Sequence, residues 1–169
     1  MDKQAILDQV VKAFLVDTQE FGIDPESKEC LYRTPGGDGK CAIGVLLPDE
    51  ICTEDFLERF NEGSGVATLL KESQPVADLF GVTAAEVDAF FRAIGVDKER
   101  EASPNVAFLA RLQACHDHAA TEALEAGFDE EGQYLDDPQI GRDVFEDTLQ
   151  EKLEALAVDF GLVVNLAQK

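Results

Sequence analysis

Glu29-Cys30-Leu31-Tyr32-Arg33-Thr34-Pro35-Gly36-Gly37-Asp38-Gly39-Lys40-Cys41-Ala42-Ile43-Gly44-Val45-Leu46-Leu47 is the stretch on which the fold class turns. Two short runs flank a loop dense in proline and glycine, which is the composition of a β-hairpin. Pro48-Asp49-Glu50 ends it. Outward from this stretch the chain reads as helix. Residues 3–21 place Ile6, Val10, Phe14 and Phe21 on one side, with Leu7, Val11 and Leu15 widening the stripe up to a stop at Gly22. Thr53 is positioned to cap a short helix carrying Phe56, Leu57 and Phe60. Thr83 and Glu86 form a capping-box pattern ahead of Val87, Phe90, Phe91 and Ile94, closed by Gly95. Ser103-Pro104 joins a cap residue to a proline at the first helical position and predicts a helix to about Ala126. Asp137-Pro138 repeats that signal for a last helix reaching about Phe160, after which Leu162-Val163-Val164 reads as a short strand or fraying chain. The expected fold class is α+β, helix-dominated, with four to six helices packed around a small β-hairpin or short antiparallel sheet. The expected organisation is a single domain over 1–169: helix plus hairpin to residue 50, a helical insertion over 51–102, then a long helix, an acidic loop and an acidic last helix.

Thirty-five Asp and Glu against 14 Lys and Arg leave a formal charge of −21. A field of that sign repels phosphate backbones and anionic headgroups and favours basic partners at long range. Direct nucleic-acid binding and unaided membrane binding are therefore excluded. Met1-Asp2-Lys3-Gln4-Ala5 is neither a basic leader nor the start of an apolar run, and no segment approaches the roughly 18 apolar residues of a membrane span. The expected location is the cytoplasm, that of a host cell in the setting described next. Cys30, Cys41, Cys52 and Cys115 then read as reduced thiols.

Cys30-x-Tyr32, Gly39-Lys40-Cys41-Ala42-Ile43-Gly44-x-Leu46-Leu47-Pro48-Asp49-Glu50 and Leu112-Gln113-x-x-His116-Asp117 resemble a family of small uncharacterised proteins of bacteria, their phages and mobile elements. The matching segments lie before residue 51 and around residue 112, under half of the chain. That family carries no known activity, so the resemblance implies a fold element and a mobile-element setting, not a catalytic role. The stretch from 66 to 100 and the acidic C-terminal third stand as additions to the pattern.

Gly36-Gly37-Asp38-Gly39-Lys40 superficially suggests a phosphate loop. The spacing fails: Thr34 stands where such a loop needs glycine, and Cys41 where it needs Ser or Thr. A hairpin turn is the simpler use of those glycines. Cys30, Cys41 and Cys52, with His116 or His118, are candidate zinc ligands, but intervals of eleven do not pair thiolates on one knuckle, and buried thiols are the commoner case. His116-Asp117 is the candidate acid–base pair. On a wheel with Phe108, Leu112, Cys115 and Ala119 as the apolar face, His116 falls at the margin and Asp117 points away. A half-buried histidine tying its helix to the hairpin is the expectation. Cys115, on the core side, is expected to be inert.

The last helix says more. Phe145, Leu149, Leu153, Leu156 and Phe160 gather in about a quarter of the wheel. Asp143, Asp147, Glu151 and Glu154 gather opposite, with Glu146 at the flank and Val158 interrupting the acidic side. The preceding loop adds Asp129, Glu130, Glu131, Asp136 and Asp137, without the residue order of an EF-hand. From Asp117 to Asp159 there are fourteen acidic residues against Arg142 and Lys152, a net −12 within the total of −21. Salt adaptation would spread charge evenly, whereas a ridge of carboxylates about 5–6 Å apart imitates a phosphate backbone.

The expected function is that of an acidic binding protein of a phage or mobile element. It would block a nucleic-acid-handling defence complex, such as a CRISPR effector subunit or restriction enzyme, by charge mimicry or steric occlusion. The contact residues would be Glu130, Glu131, Asp143, Glu146, Asp147, Glu151 and Glu154, with no catalytic residue, cofactor or metal. Two other readings stay open: a small thiol/histidine enzyme using Cys41 or Cys30 with His116, and a housekeeping interaction domain.

Overall fold

A computed structural model describes residues 1–24, 31–61, 65–94, 98–127 and 138–166. Among them are eight α-helices and no β-strand. They are α1 (Lys3–Val11), α2 (Glu54–Phe60), α3 (Val66–Glu72), α4 (Gln74–Phe80), α5 (Ala84–Ala93), α6 (Glu99–Ala102), α7 (Pro104–Ala126) and α8 (Pro138–Phe160). The α7/α8 pair is the spine. Both helices open on proline, where the missing N–H costs nothing, and Gly141 lets α8 approach α7 so closely that an added Cβ would lie 3.1 Å from the Ala123 carbonyl. The core takes Leu7, Val10 and Phe14 from the first helix, Val106, Leu109 and Leu112 from α7, and Phe145, Leu149 and Leu153 from α8. No helix among the described residues is long and apolar enough to cross a membrane.

The α+β expectation is corrected: the described part of 29–47 forms no hairpin. Its only pairings are two isolated bridges, Phe21 with Lys40 in parallel and Arg33 with Lys40 in antiparallel sense. The reason is competition for backbone groups. Lys40 N–H donates to Glu20 O at 3.0 Å and Lys40 O accepts from Gly22 N–H at 2.8 Å, so the segment after α1 claims what a hairpin ladder would use. Gly22 O in turn accepts from Leu31 N–H at 3.1 Å. Ile43 N–H donates to the Gln113 side chain of α7 at 3.2 Å, and Gly44–Leu46 closes into a 3₁₀ turn. The result is an irregular connector folded against the helices, with its glycines in tight quarters. An added Cβ at Gly44 would run into the Tyr32 carbonyl, and one at Gly22 would lie 2.6 Å from Leu31 O.

The first helix is shorter than its apolar spacing predicts. It passes into a π turn at Lys12–Val16 and stops there, followed by Thr18 at φ 51°, a left-handed conformation that is costly for a β-branched residue. Arg142 of α8 explains the stop. Its guanidinium donates to Phe14 O at 2.7 Å and Gln19 O at 2.8 Å, satisfying carbonyls that a helix end leaves open. Phe21 is freed from the helix and stacks on Phe145, centroids 4.5 Å apart. The α5 capping box is present, and Thr53 caps α2. Ser103 precedes α7 as expected but does not cap it with its side chain. Residues 162–166 form no strand. They run as an extended strap tied to α1 by two Gln4 hydrogen bonds to Val163, 2.8 and 3.0 Å.

Candidate acidic docking face

The geometry of α8 follows from its sequence period. Phe145, Leu149, Leu153 and Leu156 are buried, so the residues a half-turn away must face solvent. Asp143, Asp147, Glu151 and Glu154 are all exposed, rising about 16 Å along the helix axis at 1.5 Å per residue. Their neutralisation is slight. Asp143 accepts from Gln139 at 2.6 Å and Glu154 from Gln150 at 3.0 Å, both uncharged donors. Among the described residues Glu151 has only Lys152 Nζ at 3.9 Å, and its side chain is 79% exposed. Asp147 has no hydrogen-bond or ion-pair partner among the described residues. Val158, one turn beyond Glu154, is 80% exposed and ends the ridge on an apolar side chain.

Glu146 stands apart from this row. Its side chain is 28% exposed and holds Arg142 Nε at 2.6 Å, so it positions the guanidinium that closes the π turn. Because Arg142 is turned inward, it does not offset the neighbouring Asp143. Glu130 and Glu131, with Asp129, Asp136 and Asp137, lie outside the described residues.

The two motif segments do meet, and their meeting holds the fold. Gln113, buried, accepts from Ile43 N–H and donates to the Asp117 carboxylate. His116 is fully buried, which corrects its marginal placement on the wheel. Its ring packs against Phe14 at 4.9 Å and Phe145 at 5.4 Å. Asp117 also departs from expectation, since its carboxylate turns back to 3.5 Å from His116 Nδ1. Gln113 ties the connector to α7 through the Ile43 amide.

The remaining candidates are placed as follows. Cys41 is buried, and its sulfur accepts from Gly44 N–H at 3.3 Å. Neither Cys41 nor His116 opens onto solvent, and Cys30 is outside the described residues. Cys115 sits with its sulfur 3.6 Å from Lys152 O, and burial pushes its thiol up to about 11. Burial also raises the Cys52 thiol. Among the described residues no group of three or more His, Cys, Asp or Glu is arranged to hold a metal ion.

Two features had no single-sequence signal beyond the i,i+4 spacing of Arg142 and Glu146. One is the Arg142 clamp. The other is a groove of about 770 Å³ between Phe90, α6, Ala107, Ala110 and the end of α8. Arg100 and Arg111 there lie 5.2 and 5.6 Å from the Phe160 ring centroid. Arg111 also bonds Asp159, holding that carboxyl below its ordinary range.

No family model, curated protein or solved structure matches this chain. The functional reading therefore rests on the site alone.

Proposed function

We propose that this chain is a binding protein whose α8 ridge docks on a cationic protein surface of the kind that handles nucleic acid, and blocks it without chemistry. One observation carries the reading: Asp143, Asp147, Glu151 and Glu154 stand exposed in one row with almost no cationic compensation among the described residues. Like charges at i,i+4 destabilise a helix by a few tenths of a kcal/mol per pair. A row of them contributes nothing to folding that neutral polar residues would not supply, while it raises the encounter rate with a basic cleft. The spacing of about 5–6 Å between neighbours suits lysines and arginines arranged for a phosphate backbone. In its narrower form, the protein is the product of a phage or mobile element and acts on a CRISPR effector or a restriction enzyme.

The test is inhibition of DNA cleavage by a panel of CRISPR effector nucleases and restriction enzymes at roughly 50 and 200 mM salt. The expected result is inhibition of at least one class, weakened at the higher salt. It should also weaken at least tenfold in a variant combining Asp143→Asn, Asp147→Asn, Glu151→Gln and Glu154→Gln. Inhibition indifferent to both salt and the four substitutions, or none at all, would overturn the reading.

A further inference from the structure

α5 separates apolar from polar positions sharply, yet the core covers only part of its apolar arc. Val87 and Ala93 are buried, while Phe91 is 37% exposed and Ile94, at the helix end, 51% exposed. Phe90, partly buried, lines the groove described above. The rim is mixed in sign: Lys71 Nζ lies 5.2 Å from the Phe91 ring centroid and 3.9 Å from Asp88 Oδ1, and Arg92 is exposed one turn after Asp88. Charge decides what fits here. Between residues 71 and 111 the chain carries five basic residues against seven acidic, a net −2 out of −21. Two copies of such an acidic chain repel each other at long range whichever faces meet, but contact through this face adds little to that repulsion.

We propose that a second copy of this chain docks on the outer face of α5, with Phe91 and Ile94 packing across a twofold axis. The pattern is self-complementary, as a twofold contact requires. When two α5 helices run antiparallel about an axis near residue 90, Asp88 of one copy lies opposite Arg92 of the other, and the reciprocal pair forms on the far side. This surface is remote in sequence from the ridge and does not depend on the function proposed above.

The experiment is sedimentation of the full chain over a concentration series extending into the sub-millimolar range, at low and high salt. Because the two copies share a large like charge, association should strengthen with salt, about tenfold or more in dissociation constant between low and physiological ionic strength. That is opposite in sign to the salt response of ridge docking, so the two ideas fail separately. Ile94→Glu should return the chain to monomer. Asp88→Arg alone and Arg92→Asp alone should each weaken association, and combining them should restore it; both sites are exposed, so folding is spared. A monomer at every concentration and salt, or a dimer indifferent to Ile94→Glu and to the single charge reversals, would overturn the proposal.

Discussion

At the scale of single residues, the connector between α1 and α2 leaves no room for a side chain where the Gly44 backbone meets the Tyr32 carbonyl. Gly44→Ala must move backbone, so it should cost about 3 kcal/mol or more in urea unfolding. Gly36→Ala, exposed and 3.7 Å from the nearest flexible atom, should stay within about 0.5 kcal/mol of the parent. Equal midpoints for the two would refute the packing account. Cys115 offers a second check. With its thiol at about 11, roughly a thousandth is thiolate at pH 8, against about a quarter for a free cysteine of pKa 8.5. Iodoacetamide should therefore label Cys115 more than a hundredfold slower than a free thiol, as followed by peptide mass. The inertness of Cys115 was legible from its place on the apolar side of α7, but the crowding at Gly44 was not. Gly44 sits in a motif that reads as strand, and only the approach of Tyr32 shows why a methyl group is not tolerated there.

Among the elements, the helices with explicit punctuation were the legible ones. α7 and α8 begin at their prolines and end where the periodicity ends, and the Thr83/Glu86 box opens α5. The hairpin was not legible, because turn composition reports a bend without reporting which partner takes the flanking amides. Here the segment 20–22 and Gln113 take them. The first helix was overestimated for a similar reason: Phe21 keeps helical spacing, but Arg142, 121 residues further on, claims the carbonyls around the π turn. The α5 cap yields a prediction with a definite sign. The Thr83 backbone N–H, donating to Glu86 at 2.8 Å, is the largest cause that holds the Glu86 carboxyl below its ordinary value of 4.5. A depressed folded pKa contributes stability above the unfolded value and loses it as pH falls through the folded one. Glu86→Gln should thus melt lower than the parent near neutrality, and the gap should close below about pH 4. Thr83→Ala should cost about 1 kcal/mol at neutral pH. A gap that widens on acidification would contradict the cap.

For the molecule as a whole, the acidic surface is a stability cost that can be measured without any partner. Neutralising Asp143, Asp147, Glu151 and Glu154 together should raise the melting temperature at low salt, by the equivalent of about 1 kcal/mol summed over the neighbouring pairs. The gain should shrink as salt screens the parent's own repulsion. A fall in melting temperature would mean that these carboxylates hold the fold together, and the docking proposal would lose its premise. How the row sits on α8 was readable from the wheel, because a 3.6-residue period with buried Phe145, Leu149 and Leu153 leaves the opposite face no other place. What the wheel could not report was that Glu146 belongs to the Arg142 clamp. The Gln113 contact carries a last consequence. The Ile43 amide belongs to no regular element, yet its proton is buried against a side chain of the central helix. It can reach solvent only when the connector lifts from α7. Its deuterium uptake should therefore be slower than that of exposed connector amides, set by the cooperative release of the connector and not by local fraying.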